Sequence, residues 1–275
     1  MNVSVLMSTR NRSATLSRAI ESVLCQQGVR VELVIVDDHS SDETPDILAR
    51  WRDDQRVICI HNAENLGLSA SLNRAARRAG AGFLARIDDD DYWTDDKKLK
   101  RQLAWMDAHP DGVLVGTAYI DEQGRVSTNP LGDAEIRKQM LFRCAFCHSS
   151  TLIRRTAFET ASGYDEALPY AEDWDLWARL GMQGVLGNLA RVTLIKEPGE
   201  NNLSQRYFQR QLQMAQNLAE RYAGAYPGAR RAVMLHRFSR VFFRVVPLNN
   251  VIHRGMSKLF RWVFQLGSSD SSGKT

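Results

Sequence analysis

The sequence lacks any apolar run long enough to cross a bilayer, and Met1 to Arg12 lacks the basic, apolar and small-residue pattern of an export signal. These absences predict a cytoplasmic location. Cysteine is scarce, with 4 residues in 275, which fits a reduced compartment better than a disulfide framework. No Gly-x4-Gly-Lys-Ser/Thr sequence is present, which excludes a phosphate loop of that type.

The cysteines raise the question of a covalently attached haem or a structural zinc ion, and neither is expected. Cys144-Ala-Phe-Cys147-His148 matches the spacing of covalent haem attachment. Such attachment ordinarily follows export, for which the sequence shows no signal, so we set it aside. A structural zinc site needs a second ligand pair, and Cys25 and Cys59 do not form one.

Charge is unevenly distributed along a chain whose length suits one large domain, or one domain with an appendage. Residues 201–275 hold 12 Lys and Arg against 2 Asp and Glu, a balance of +10, so residues 1–200 carry −6 of the total +4. This split predicts an acidic catalytic body, followed by a basic tail that meets an anionic surface.

Strands and helices alternate in the first half of the chain. Apolar runs predict strands at 3–7, 32–36, 57–60, 83–87 and 113–115, and helical spacing or caps predict helices over 16–24, from Thr44, over 68–79 and over 99–106. A turn at 121–124 indicates a hairpin, and a further helix is expected over 133–142. The alternation predicts an α/β fold with a mostly parallel, doubly wound sheet.

Four consecutive aspartates, 88–91, directly follow the predicted strand at 83–87. The carboxyl ends of parallel strands form the crevice where ligands bind in such sheets. Adjacent carboxylates repel one another, and a hard divalent cation such as Mg2+ or Mn2+ relieves that repulsion. A solvated acidic turn is the usual alternative for an isolated run. Thr9-Arg10-Asn11 and Asp37-Asp38 end two other strands at the same edge, which favours the metal site.

Four ordered blocks carry a resemblance to a known family. Val5–Asn11, Val34–Asp42, Asn65–Asn73 and Ile87–Asp91 resemble the successive blocks of family 2 glycosyltransferases with the GT-A fold. The resemblance extends over roughly residues 3 to 200. It implies a single nucleotide-binding α/β domain and an enzyme that inverts the anomeric centre.

The resemblance also implies roles for individual residues. Asp38 is expected to accept a hydrogen bond from the base, and Asp88 to face the ribose or the donor sugar. The expected nucleotide-sugar contacts are Thr9, Arg10, Asn11, Asp37, Asp38, Asn65, Asp88 and Asp89. Asp90, with Asp88, is expected to ligate the Mn2+ or Mg2+ that bridges the diphosphate. A run of four aspartates lets this motif slip by one position, which leaves Asp91 unassigned.

Tyr170–Trp177 resembles the family's Glu-Asp block that opens a helix, in which Asp173 is the expected catalytic base. Neighbouring Trp174 and Glu172 would raise the pKa of that carboxyl by desolvation and like charge, which suits proton acceptance near neutral pH. A helix start with favourable acids is the alternative interpretation. Glu172, Trp174 and His148 are also candidates for the acceptor site, although a lone histidine is more often structural.

The expected activity is metal-dependent transfer of one sugar from a nucleotide diphosphate donor. The resemblance favours UDP, with GDP or dTDP as alternatives, and the acceptor is a saccharide or a lipid-linked sugar in surface polysaccharide or glycolipid synthesis. The chain departs from the family pattern at Ser8 and Asp95, which stand at or near common prolines. It also lacks a Gln-x-x-Arg-Trp motif, of which Lys258–Trp262 is a partial echo, so processive synthesis is not expected.

The basic tail is predicted to form long helices over 205–222, 229–246 and 250–266. A polar, disordered end is predicted over 267–275. In the second helix one apolar face holds Leu235, Phe238, Val241, Phe242 and Val245. Such helices indicate contact with an anionic membrane interface and a peripheral position on the cytoplasmic face. Packing on the catalytic domain, or on a second copy in a homodimer, is the alternative.

The predicted organisation is a catalytic domain over 1–200, with a nucleotide-sugar half to about residue 110 and an acceptor half from 111, and a helical extension over 201–275. A nucleotidyltransferase shares the sheet and the metal carboxylates, but usually carries a Gly-rich loop that Ser8–Ser13 lacks. A non-catalytic membrane scaffold predicts loss of the acidic residues, which are present. A nucleic-acid partner is not expected, because the tail shows an apolar stripe rather than aromatics among its arginines.

Overall fold

The structure is a computed structural model that describes residues 2–127, 129–197 and 208–245. The chain divides into two compact units. The first, here called the sheet unit, comprises residues 1–131 and 146–200, and the second, the helical unit, comprises 132–145 and 201–275. Residues 132–145 therefore cluster with the tail, an association that the predicted boundary at residue 200 did not include.

The elements up to residue 108 follow the predicted alternation, apart from a two-residue strand at Tyr92–Trp93. In chain order the described elements are β1 (Asn2–Thr9), α1 (Leu16–Leu24), β2 (Arg30–Asp37), α2 (Thr44–Ala49), β3 (Val57–His61), α3 (Leu68–Arg78), β4 (Phe83–Arg86), β5 (Tyr92–Trp93), α4 (Lys98–Ala108), β6 (Gly112–Ile120), α5 (Asp133–Gln139), a 3-10 turn (His148–Ser150), β7 (Leu152–Arg154), α6 (Arg155–Thr160), α7 (Glu172–Gly181), β8 (Val185–Ile195), α8 (Phe208–Arg221) and α9 (Ala229–Val245).

Within the described residues the strands form one sheet in the order β3-β2-β1-β4-β7-β6-β8-β5. Strands β1 to β4 pair in parallel, as predicted, and β6 also lies parallel to β8. Strand β7 runs antiparallel between β4 and β6, and β5 antiparallel to β8. Strands β5, β7 and β8 were not predicted, and β5 and β7, with two and three residues, are too short to show a period.

The turn at 121–124 is present, since the Asp121 amide donates to the Arg125 carbonyl at 2.8 Å. The expected hairpin is reduced to an isolated bridge between Ile120 and Val126. The polar sequence after this turn offers no apolar face to bury, so it does not continue as a strand. Strand β6 is correspondingly longer than the predicted 113–115 and pairs along most of its length with β8.

The core explains why polar strand ends gather at one edge. Leu16, Ile20 and Val23 of α1 are buried together with alternate residues of β1 and β2 in one apolar cluster. Strands covered on both faces are almost wholly apolar until they reach the sheet edge. Because β1, β2 and β4 run parallel, Thr9, Asp37 and the aspartates after β4 all emerge at that edge.

In the helical unit, α8 and α9 lie against each other and α5 belongs to the same cluster. His236 Nε2 lies 2.8 Å from the Leu141 carbonyl oxygen, and Arg237 pairs with Glu220 at 3.0 Å. None of the described helices combines the length and the apolar character that crossing a membrane requires. The predicted helix at 250–266 and the end at 267–275 lie outside the described residues.

Candidate active site

Asp88 is fixed by buried partners at the end of β4. Arg86, 1% exposed, reaches Asp88 Oδ1 through Nη2 at 2.5 Å. Ser149 Oγ accepts a hydrogen bond from the Asp88 amide at 2.9 Å and donates one to Oδ2 at 3.0 Å. Burial opposes ionisation here, but the Arg86 guanidinium holds the pKa of Asp88 well below its ordinary value. Asp88 is therefore a fixed negative charge with both oxygens engaged by the protein.

Asp89 and Asp90 lie near the guanidinium of Arg12, which belongs to the loop after β1. Arg12 Nε lies 3.5 Å from Asp89 Oδ1, and its Nη2 lies 3.8 Å from Asp90 Oδ2. Burial and the charge of Asp90 raise the pKa of Asp89 to about 7. Burial and the charge of Asp88 also raise the pKa of Asp90, whose side chain is 27% exposed. Asp90 is the more accessible of these two carboxylates.

Asp91 is buried, and neither of its carboxylate oxygens meets a hydrogen-bond donor in the described residues. Burial and the nearby charge of Asp88 raise its pKa to about 7. Pairing of Tyr92 with Ile195 brings the next residue of the antiparallel partner, Lys196, opposite Asp91. Burial works against the charge on Lys196, but acidic groups around it, including Asp91 and Asp88, raise its pKa.

Glu172 and Asp173 begin α7 beside the aspartate run. Ala171 precedes them with φ 59°, a left-handed conformation that turns the chain sharply into the helix. Burial and the charge of Asp173 raise the pKa of Glu172 to about 8. Burial raises the pKa of Asp173 as well, and the charge of Asp88 adds to the effect. Two acidic segments from distant parts of the sequence thus share one electrostatic site.

His148 contributes a neutral ring to this site. Its Nε2 lies 2.7 Å from the Tyr164 hydroxyl, and its ring meets Trp177 edge-on with centroids 5.9 Å apart. Burial, with the positive charge of Arg86, lowers the pKa of His148 to about 3. The imidazole therefore stays uncharged at neutral pH, and it is suited to hydrogen bonding rather than to proton donation from an imidazolium.

Asp38 is occupied by the loop that leads into α3. Its Oδ1 accepts from Asn62 Nδ2 at 2.7 Å and from the Leu66 amide at 2.8 Å, while Oδ2 accepts from the Gly67 amide at 2.8 Å. The carboxylate is 3% exposed. These contacts favour a role in holding the 62–67 loop, and the expected hydrogen bond to a base stays a prediction.

Asp37 and Asn11 organise the neighbouring loop. Asp37 Oδ1 accepts from the amide and the hydroxyl of Ser40, and Asn11 Oδ1 accepts from the Ser41 amide at 2.8 Å. Asn11 adopts φ 54°, which lets its amide donate back to Ser40 Oγ at 3.0 Å. The remaining predicted contacts differ in exposure, with Thr9 buried, Trp174 half-buried, and Arg10 and Asn65 exposed.

The oxygen donors of the aspartate run fit a hard divalent cation. Asp91 presents two buried oxygens without hydrogen-bond donors, and Asp90 is partly accessible beside it. In the described ranges no three His, Cys, Asp or Glu side chains converge as a complete ligand set. A cation held here would therefore need further oxygens, such as those of a diphosphate or water, to complete its shell.

A pH-dependent effect of Mn2+ on stability follows from these carboxyls. The raised pKa values of Asp89, Asp91 and Glu172 mean that the folded state binds protons that the unfolded state releases, so stability falls as pH rises from 5 toward 8. Millimolar Mn2+ should raise Tm by roughly 5 °C at pH 8 and by less at pH 5, where protons compete. Thermal unfolding followed by circular dichroism measures this, and equal shifts at both pH values would contradict it.

The structure brings together the predicted acidic residues and His148, and it adds other residues to them. The predicted residues Asp88, Asp89, Asp90, Glu172, Asp173 and His148 lie in one electrostatically connected network, which also includes the unassigned Asp91. The residues that the sequence left out are Arg12, Arg86, Ser149, Tyr164 and Lys196. Arg86 could have been noticed as a charged residue inside a predicted buried strand. Lys196 could not have been identified from its neighbours in the sequence, because its position opposite Asp91 follows from the β5–β8 pairing.

The sequence of this chain is similar to those of known proteins. Residues 4–161 match the family model described as glycosyl transferase family 2. EpsE of Bacillus subtilis (strain 168), a protein named as a glycosyltransferase, is 32% identical over 200 residues, which are 70% of this chain and 72% of EpsE. The Escherichia coli protein WfaP, named UDP-Glc:alpha-D-GlcNAc-diphosphoundecaprenol beta-1,3-glucosyltransferase, is 29% identical over 186 residues, 66% of this chain and 71% of WfaP.

A solved structure shares the fold. The mannosyltransferase PcManGT of Pyrobaculum calidifontis, determined with GDP-Man and Mn2+, superposes with a TM-score of 0.66. The match covers 97% of this chain and 85% of that protein, at 16% sequence identity. At this identity the likeness carries the fold and leaves the choice of donor and acceptor open.

Proposed function

The chain belongs to glycosyl transferase family 2 and has the GT-A fold, and on that premise we propose that it transfers one sugar from a nucleotide diphosphate donor with inversion. The observation that supports this most is the shared site of Asp88–Asp91 and Glu172–Asp173. In addition to burial, the charge of Asp88 raises the pKa of both Glu172 and Asp173, as expected where one cleft must hold both a donor diphosphate and a catalytic base.

Asp90 and Asp88 are the proposed ligands of Mn2+ or Mg2+. Such an ion, when bound, supplies positive charge at the diphosphate leaving group. Asp90 is the better placed ligand, because Arg86 and Ser149 already engage both oxygens of Asp88. We therefore assign Asp88 chiefly to the orientation of the donor sugar or ribose, with a hydrogen-bonded geometry that the protein sets in advance.

Asp173 is the proposed catalytic base. Its carboxylate takes the proton of an acceptor hydroxyl, whose oxygen then forms a bond to the anomeric carbon on the face opposite the diphosphate. The bond between that carbon and the diphosphate oxygen breaks, and its electron pair leaves with the nucleotide. The raised pKa of Asp173 strengthens it as a base, provided that the carboxyl is ionised.

Two cations are available for the developing negative charge of the leaving group. Arg12 lies beside Asp89 and Asp90, and Lys196 lies opposite Asp91. Both belong to segments that flank the aspartate run, so a diphosphate held there meets positive charge from two directions. The neutral His148–Tyr164 pair is assigned to binding of the sugar hydroxyls, with Glu172 and Trp174 toward the acceptor.

UDP-sugar is the proposed donor class, and a lipid-linked saccharide of surface polysaccharide synthesis is the proposed acceptor. Both proposals take support from the name of WfaP, which specifies UDP-Glc and a diphosphoundecaprenol-linked sugar. A GDP-sugar is the alternative donor, because PcManGT was determined in complex with GDP-Man. The absence of a Gln-x-x-Arg-Trp motif supports addition of a single sugar.

A transfer assay tests the proposal. The full chain would be incubated with UDP-Glc, UDP-Gal, UDP-GlcNAc or GDP-Man, and with GlcNAc-diphosphoundecaprenol as acceptor. The expected product carries one added sugar by mass spectrometry, has the anomeric configuration opposite to the donor by NMR, and does not form in EDTA. A product with retained configuration, or equal yield in EDTA, would contradict the proposed mechanism.

Lys196 gives a separate prediction about donor binding. Lys196→Met should weaken UDP affinity about ten-fold, because it removes a charge-assisted contact to the diphosphate. Lys196→Arg should retain most of the affinity. Lys97→Met is the matched control, since Lys97 is an exposed lysine six residues after Asp91 in the sequence. Calorimetric titration of UDP with Mn2+ measures the change, and unaltered affinity in Lys196→Met would remove this residue from the site.

A further inference from the structure

Helix α9 buries small and polar residues on one face and exposes three large apolar residues on another. Ala232, His236 and Ser239 are 0%, 3% and 2% exposed, and they recur at helical spacing on the face that packs within the helical unit. Met234, Phe238 and Val241 recur with the same spacing on another face and are 71%, 60% and 64% exposed. This burial is the reverse of the usual arrangement for a helix of a water-soluble domain.

The exposed apolar stripe is flanked by positive charge. Ala229–Val245 contains five arginines and no acidic residue. Arg230, Arg231 and Arg237 are exposed, and on a helical projection they border the stripe of Met234, Phe238 and Val241. Arg237 also pairs with Glu220 of α8. The face thus combines an apolar centre with a basic margin.

We propose that this face of α9, formed by Met234, Phe238 and Val241 with its arginine margin, binds the surface of an anionic lipid bilayer. Apolar side chains enter the region between head groups and acyl chains, while arginines meet the phosphates. Charge complementarity selects this partner over a second copy of the chain. Two-fold packing of the face on itself would bring two sets of arginines together, which like-charge repulsion disfavours.

Vesicle binding by the full chain tests the proposal without reference to sugar transfer. Wild-type protein should co-sediment with vesicles containing phosphatidylglycerol, and far less with vesicles of phosphatidylcholine alone. The triple variant Met234→Ser, Phe238→Ser, Val241→Ser should bind anionic vesicles about ten-fold more weakly, because it removes the apolar contact. Arg230→Gln with Arg231→Gln should weaken binding about five-fold for each charge removed.

Matched variants lie on the sheet unit. Val126→Ser, Leu131→Ser and Met182→Ser alter three side chains that are 56%, 51% and 52% exposed, and this combination should bind vesicles as the wild type does. Arg77→Gln with Arg78→Gln is the control for the arginine pair, since both are exposed at the end of α3. Circular dichroism would verify that every variant is folded.

Three results would overturn the proposal. The first is that the wild-type chain does not bind anionic vesicles. The second is that the triple variant of Met234, Phe238 and Val241 binds as tightly as the wild type, which would assign membrane contact to another part of the chain. The third is a wild-type dimer in sedimentation velocity that becomes a monomer in the same variant, since the face would then be an interface between copies.

Discussion

Asp173→Asn is expected to reduce sugar transfer by about a thousand-fold while leaving UDP affinity within about two-fold of wild type. Asparagine keeps the shape and the hydrogen bond from the Trp174 amide, which lies 2.7 Å from Asp173 Oδ1, but it cannot accept the acceptor proton. Steady-state transfer rates and calorimetric titration of UDP with Mn2+ measure the two effects separately.

Glu172→Gln is the matched control, because the two carboxyls are adjacent and electrostatically linked. We expect it to lower the rate far less than Asp173→Asn. A larger loss in Glu172→Gln would transfer the role of base to Glu172, and an equal loss of UDP affinity in both variants would show that the pair serves binding instead.

The pH profile should support the same assignment. Because burial raises the pKa of Asp173, the base is protonated over a wider acidic range than an exposed aspartate, and the transfer rate should rise with pH until the carboxyl is ionised. The inflection in this profile is expected to belong to the Glu172–Asp173 pair rather than to either carboxyl alone.

Asp90→Asn is expected to weaken Mn2+-dependent binding of UDP by at least about a hundred-fold, toward the affinity seen in EDTA. Loss of one carboxylate oxygen ligand removes the protein's most accessible hold on the cation, since both oxygens of Asp88 are engaged by Arg86 and Ser149. Calorimetric titration of UDP in Mn2+ and in EDTA measures the loss.

Asp96→Asn is the control for this variant. Asp96 is exposed and lies a few residues beyond the aspartate run. The Asp96→Asn variant should therefore bind UDP with the same affinity as the wild type. If Asp90→Asn retained full, EDTA-sensitive affinity, the metal would have to be held by Asp91 or Asp88, and the assignment within the run would shift by a position.

The part of the sheet unit up to residue 109 could largely be predicted from the sequence. Apart from β5, the strands and helices up to residue 109 have clear apolar periods. Parallel pairing places the polar ends of these strands together, so the convergence of Thr9, Asp37 and Asp88 needed no coordinates. The short β5 and β7 lack a period, and their pairing depends on long-range contacts. The position of Lys196 opposite Asp91 depends on that pairing and could not be predicted.

Asp38 shows a different limit. Two adjacent aspartates at a strand end gave no means of telling which oxygens the protein itself would use. In the folded chain Asn62 and the amides of Leu66 and Gly67 occupy Asp38, because a buried carboxylate must be satisfied by nearby donors. The sequence thus placed Asp37 and Asp38 at the strand edge without separating residues that could bind a ligand from those that hold a loop.

The exposure of Phe238 and Val241 also required coordinates. Helical spacing predicted one apolar face on α9, yet that pattern alone fits packing inside the protein as well as contact outside it. Burial of Ala232, His236 and Ser239 on another face shows which surface α9 uses within the helical unit.

The most direct test of the central assignment is calorimetric titration of UDP, GDP and dTDP into the purified full chain, each with Mn2+ and with EDTA. We predict that one nucleotide, UDP, binds in Mn2+ and that EDTA abolishes its binding. A folded protein that binds none of the three, or binds one equally well in EDTA, would contradict the assignment of Asp88 to Asp91 as the site of a metal-bound donor diphosphate.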